Sequence, residues 1–305
     1  MIRILTYIGQ RSSSVMILGL FLVALLPQVS SALRPVLPLL VSLVLGLAIA
    51  RLDLLNVMRE FVDVRKLLLL FCLVLLFMPI TCLILVSFWR MLHMDENGVL
   101  LLIVFAATPP LSSATSLSLL LGYNARITLQ VTLLATLASP ILGPLCFALA
   151  GFETDIDMVS MASRITMMIA GGFGLGILVQ AVFGASAIAR NPHVFNGIVA
   201  LSMVLFLFPV FDGVINYIRN APMQSFAVLL LAIILNLGGN IVTRWISQRF
   251  SSPQTASALG LMFGNRNLSL FLAVLPINPL LSIFVAASQF PMYATPALFG
   301  RKRPR

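Results

Sequence analysis

From residue 14 to residue 299 the sequence is almost a continuous series of apolar stretches, most of them near the roughly 20 residues a helix needs to cross a bilayer. That pattern leaves few folds open. Backbone N–H and C=O groups find no water at membrane depth, so stretches of this length must satisfy them internally, as helices. Sixty per cent of the 305 residues are hydrophobic and 9% are charged, where a soluble domain carries about a quarter charged. Ten stretches can be marked, at 14–33, 36–52, 67–89, 98–121, 128–151, 159–183, 194–217, 223–246, 255–275 and 279–299. The expected fold class is an all-α polytopic membrane protein with ten transmembrane helices. The first two are divided at Arg34-Pro35.

A net charge of +10 would suggest nucleic acid for a soluble protein, but the distribution argues against that. With both termini inside, fourteen of the nineteen basic residues fall in inner loops and tails, and Arg34, Arg90, Arg164 and Arg219 fall outside. This is the asymmetry that orients membrane proteins. It places the termini in the cytoplasm, in a bacterial inner membrane, with no nucleic-acid partner. The tail 301–305 is basic and suited to anionic lipid at the inner face. Arg3, Arg11, the apolar run after Val15 and Ser30-Ser31-Ala32 also resemble a cleavable leader, although the repeat described next needs this helix. Cys72, Cys82 and Cys146 lie in apolar stretches without metal-ligand spacing and read as small core residues. No metal and no cofactor are expected.

The polar stretch at 153–157 divides the chain into 1–152 and 153–305, each with five apolar segments. Five is odd, so the second unit enters the membrane in the opposite orientation, giving an inverted repeat within one membrane domain. The fourth segment of each half is interrupted. Segment four carries Thr108-Pro109-Pro110-Leu111-Ser112-Ser113-Ala114-Thr115-Ser116, and segment nine carries Gly264-Asn265-Arg266-Asn267-Leu268-Ser269. Interrupted segments at matching positions are a pointer to a transporter binding site. Two prolines remove donors and leave carbonyls near Val104–Ala106 without partners. The half-helix beyond them opens with Ser112 and Ser113, and its N-terminus offers free N–H groups and a positive dipole end.

Arg266 has no carboxylate at its depth, since Asp212 lies near the outer end of segment seven. It either ties down the freed carbonyls or contacts an anionic substrate, and the two roles are compatible. The substrate-binding set expected from sequence is Arg266, Asn265, Asn267, Ser112, Ser113 and Thr115. Thr108, Thr128, Thr132, Ser269, Asn236 and Asn240 are candidates to line the same cavity, although Asn236 and Asn240 equally suit hydrogen bonds to neighbouring helices. Gly172 and Gly176 fit a small-residue helix contact rather than a phosphate loop, for no strand precedes them.

Ten helices in two fives, the stretches Ala107-Thr108-Pro109-Pro110, Thr128-Leu129-Gln130-Val131-Thr132, Ala138-Ser139-Pro140 and Met78-Pro79, and Phe263-Gly264-Asn265-Arg266-Asn267 together resemble the bile acid:sodium symporter superfamily. The resemblance implies a core of segments three to five and eight to ten, with a panel of segments one, two, six and seven. Substrate would bind between them, and the two would rock to give alternating access. The chain departs from the sodium-coupled pattern where it matters most. Met262 stands where that pattern has Glu, Arg266 and Val74 where it has Gln, and Ala114-Thr115 where it has Ser-Asn. Thr128 and Thr132 remain as oxygen ligands. Without the carboxylate, and with a guanidinium nearby, sodium binding is not expected. The functional expectation is a secondary transporter of a small organic anion without sodium coupling. The alternative is a non-transporting sensor or assembly protein on a degenerate transporter scaffold. An enzyme is not expected, because no nucleophile–base pair lies at depth.

Overall fold

The computed structural model describes residues 2–52, 64–153 and 157–299. The hydrophilic stretch at 53–63, residues 154–156 of the polar divider and the basic tail lie outside the described residues. The chain runs through α1 (Ile2–Gln10), α2 (Ser12–Leu25), α3 (Pro27–Leu33), a short 3-10 turn (Arg34–Val36) and α4 (Leu37–Ile49). Next come α5 (Val64–Met91), α6 (Glu96–Ala107), α7 (Ala114–Leu121), α8 (Ala125–Leu149), α9 (Met158–Phe183) and α10 (Ala185–Arg190). They are followed by α11 (Pro192–Val210), α12 (Val214–Asn220), α13 (Pro222–Ile233), a π turn (Ile234–Gly238), α14 (Gly239–Ser247), α15 (Pro253–Gly264), α16 (Ser269–Leu272) and α17 (Pro279–Phe299). The described residues form no strand. Six spans are long and apolar enough to cross a membrane: Pro27–Ile49, Leu67–Met91, Ala125–Leu149, Met158–Phe183, Pro192–Val210 and Pro222–Ser247. The protein is thus an all-α membrane protein.

The expected division at Arg34-Pro35 is wrong. The break falls at Leu26, whose φ of −124° and ψ of 58° are not helical, because the residue before a proline is pushed out of the α region. Pro35 and Pro38 open the 3-10 turn and α4, where a missing N–H costs nothing. The helix therefore passes through Arg34, which is 9% exposed inside the structure rather than in an outer loop.

Packing groups the helices into two sets, which also touch each other where α9 lies against α8. In the first, α4 lies along α9, and α11 takes α1, α2, α3 and α4 against its sides. In the second, α5 packs on α8 and α6, α14 on α15, and α13 on α17. The expected small-residue contact is where α4 and α9 meet. A Cβ added at Gly172 would stand 2.7 Å from the Leu45 side chain, and one at Gly176 the same distance from Ile49. Cys82 and Cys146 are buried as expected, but Cys72 is exposed on α5.

Candidate functional site

Two helices stop where their sequences break, and the broken segments cross. After Ala107 the chain turns extended at Thr108 (φ −81°, ψ 142°), and after Gly264 it does so at Asn265 (φ −97°, ψ 92°). The two extended pieces run antiparallel, pairing Pro110 with Arg266. Leu111 N–H donates to the Asn265 carbonyl (2.8 Å) and Asn267 N–H to the Pro109 carbonyl (2.9 Å). Backbone that neither helix satisfies is thus satisfied by the other. Val104 does not lose its partner, since Thr108 N–H still reaches its carbonyl at 3.2 Å. The Phe105 carbonyl, which Pro109 leaves without a donor, accepts from Thr108 Oγ1 at 3.1 Å.

Arg266 closes the crossing and is 4% exposed. Its Nε donates to the Phe263 carbonyl (3.0 Å) and its Nη1 to the Thr108 carbonyl (2.9 Å). Its guanidinium carbon sits 5.2 Å from the Phe263 ring centre and 5.7 Å from that of Phe105, within cation–π range. The carbonyl-tying role is therefore present. It does not exhaust the side chain, because no hydrogen bond is made by Nη2 among the described residues.

A cavity of about 250 Å³ opens beside this crossing, between the two helix sets. Arg266, Asn267, Ser112, Ser113, Thr115 and Ser269 line one wall, Gln289 and Met292 of α17 join them, and Val41, Val44, Leu45, Ala48 and Arg51 face them from α4 and its end. Five of the six expected binding residues are thus brought together, along with Ser269. The N–H groups of Thr115 and Ser116, in the first turn of α7, have no backbone acceptor among the described residues, so the positive end of that helix faces the cavity. Ser113 makes no side-chain cap bond.

Asn265 is the exception. It is fully buried, and its Oδ1 accepts from Asn236 Nδ2 at 3.1 Å. That same Nδ2 also donates to the Gly264 carbonyl at 2.6 Å. The structure thus places the Asn265 side chain behind the crossing and not on the cavity wall, with its Nδ2 and the Asn236 Oδ1 buried and without a partner among the described residues. Asn236 and Asn240 are 2% and 4% exposed and lie behind the crossing, not on the cavity. Thr128 is also buried, sharing a 2.8 Å hydrogen bond with Ser118. Thr108 is taken up by the break itself. Thr132 lines only a narrow recess of about 20 Å³, shared with Ser112, Thr115, Leu45 and Ala48.

A second cavity, of about 300 Å³, lies on the other side of the crossing among α5, α8, α14 and α15. Val74, Met262 and Arg266, three of the positions that depart from the sodium-coupled pattern, line it together. Apart from Arg266, the described residues of its wall include only Thr243 and Ser247 as polar ones. A dehydrated cation needs several oxygens, and this wall does not supply them.

Sequence reasoning missed Arg51 and Gln289 on the first cavity. Arg51 follows Val41, Val44 and Ala48 at helical spacing, and that periodicity was the available signal. Its Nη2 donates to Asn196 Oδ1 (2.6 Å), and its guanidinium lies 5.0 Å from the Phe195 ring centre. No protein-family model matches the chain, and no curated protein is significantly similar to it. The class defined by fold and site is an α-helical membrane protein with a guanidinium at the crossing of two interrupted helices.

Proposed function

We propose that the protein is a secondary transporter that moves a small organic anion across the membrane by alternating access, without sodium coupling. The carrying observation is the buried Arg266 guanidinium, whose Nη2 makes no hydrogen bond among the described residues, on a cavity that also holds the α7 N-terminus and, among the described residues, no acidic one. In this reading the ten apolar segments form a five-plus-five inverted repeat like that of the bile acid:sodium symporter superfamily. The two helix sets then act as panel and core, in a bacterial inner membrane with cytoplasmic termini. Ser112, Ser113 and Asn267 orient the anion, and Arg266 supplies the charge.

The test is thermal stability of the purified protein against a panel of organic anions, in sodium and in choline, since a ligand that binds only the folded state raises the melting temperature. A shift that is indifferent to sodium and lost in Arg266→Ala is expected, whereas a shift that requires sodium overturns the uncoupled reading. One observation favours the alternative of a non-transporting sensor or assembly protein. The cavity that gathers Val74 and Met262 is nearly all apolar, as relaxed selection on a coupling site would leave it. Absence of any anion-induced shift and of flux in vesicles would select that alternative.

A further inference from the structure

We infer that the cavity between the two helix sets selects organic dianions, with Arg51 as the residue that recognises the second negative group. This rests on the anion-carrier reading and specifies its substrate class. The lining residues of α4 and the turn after it, from Val41 to Arg51, span ten positions, a length of about 15 Å at helical rise. That wall is apolar until its end, where Arg51 stands. The opposite wall carries Arg266, the hydroxyls of Ser112 and Ser113 and the free N–H groups at the start of α7. The recess that joins Ser112 and Thr115 to Leu45, Ala48 and Leu52 sets the α7 N-terminus beside the last turn of α4, within about one turn of Arg51. Two cationic groups thus share one cavity.

Among the described residues neither cation has a carboxylate partner. Arg51 has a neutral amide and a ring as its partners, and Arg266 has two carbonyls and two rings. No Asp or Glu lines the cavity among the described residues. Arg266 is buried and Arg51 is exposed, so a monoanion engages one guanidinium group and a dianion can engage both. Two guanidinium groups also suit carboxylates, which they grip through two parallel hydrogen bonds. The fitting ligand is a small dicarboxylic acid with a short apolar frame. A single-headed fatty acid would leave Arg51 idle.

The experiment compares straight-chain α,ω-dicarboxylates with monocarboxylates of equal length, measuring affinity by thermal shift on the full-length protein, its Arg51→Gln and Arg51→Lys variants, and Arg266→Ala. The expected result is a dicarboxylate affinity about tenfold above that of the matched monocarboxylate, as one added charge-assisted contact gives. Arg51→Gln abolishes that advantage while leaving the monocarboxylate shift in place, and Arg51→Lys retains part of it. Equal affinity for both series in the wild type, still dependent on Arg266, overturns the dianion inference and leaves the anion-carrier reading standing. Shifts that Arg51→Gln does not alter overturn the role of Arg51. No shift from either series overturns both readings.

Discussion

At the scale of single residues, Arg266 has a structural role and a proposed binding role, which experiment can separate. Removing its side chain leaves the Thr108 and Phe263 carbonyls without the donors that now lie 2.9 and 3.0 Å away. Hydrogen bonds from charged groups are worth about 1.5–3 kcal/mol each, and are not additive. Arg266→Ala should therefore lower stability by about 2–4 kcal/mol, read as the shift in the unfolding midpoint in detergent, and weaken anion binding at least about tenfold. Arg266→Lys should restore part of both, since a lysine supplies charge without the planar fork. Ser113 is the control for the second function. Its hydroxyl makes no cap bond, so Ser113→Ala should change stability by less than about 0.5 kcal/mol, and a fall in anion affinity in that variant reports ligand contact alone. Unchanged affinity in both variants would remove the binding role from this wall. What was legible at this scale was the arginine and the hydroxyls after the prolines, because a charge or helix break at membrane depth is conspicuous. The burial of Asn265 was not legible, since its side chain pairs with Asn236, 29 positions away in sequence, and local pattern does not encode that pairing.

At the scale of elements, the breaks in the fourth and ninth segments were legible because Pro109, Pro110 and Gly264 act locally. The break at Leu26 was missed because Pro27, Pro35 and Pro38 all compete for it, and only the 3-10 turn at Arg34–Val36 shows which two the helix absorbs. Close approaches between elements were legible only where small residues recur at helical spacing, as at Gly172 and Gly176. Gly264 has a different reason to be glycine. A Cβ there would fall 2.4 Å from the Asn236 carbonyl oxygen, which belongs to the π turn and has little room to retreat. Gly264→Ala should cost about 1–3 kcal/mol through this overpacking. Gly174→Ala in α9, where a Cβ meets nothing within 4 Å, should instead stabilise by about 0.5–1 kcal/mol. Equal midpoints for the two variants would mean that the crossing is looser than its geometry. The cap of α9 gives a pH-dependent counterpart. Hydrogen bonds from Ser160, through backbone and hydroxyl, and from Val159 N–H hold the Asp157 carboxyl below its ordinary value of 3.8. A depressed carboxyl contributes its stability above its unfolded value and loses it as pH falls through the folded one. The unfolding midpoint should thus decline as pH drops below about 4, and Asp157→Asn should flatten that decline. A wild-type slope retained in Asp157→Asn would assign it to other carboxylates.

At the scale of the whole molecule, the two helix sets are held together unequally at their two ends. Arg34, between α3 and α4, donates from Nη1 to the Pro209 carbonyl (3.0 Å) and from Nη2 to the Leu272 carbonyl (3.3 Å). Arg164 of α9 donates to the Val274 carbonyl at 3.4 Å. Both arginines belong to the first set, and both reach carbonyls at the end of the interrupted ninth segment, in the second. Ser31 adds a 2.8 Å hydrogen bond to Asp212, within the first set beside Arg34. Arg51 lies 17 residues beyond Arg34, about 25 Å along the same helical course, so it marks the opposite end of the span. There its partners, Asn196 and Phe195, belong to its own set, and the cavity separates the sets. Such a molecule is latched at the Arg34 end and parted at the Arg51 end, so under the proposed alternating access the opposite state has to break the guanidinium–carbonyl contacts before the sets move. Each contact carries about 1.5–3 kcal/mol, comparable to the few kcal/mol that separate conformers in exchange. Arg34→Gln should therefore raise hydrogen exchange of the amides from 270 to 275 by about tenfold while leaving those from 117 to 122 near wild type. If exchange rises equally in both stretches, Arg34 supports the fold at large, and the gating role passes from this end of the molecule.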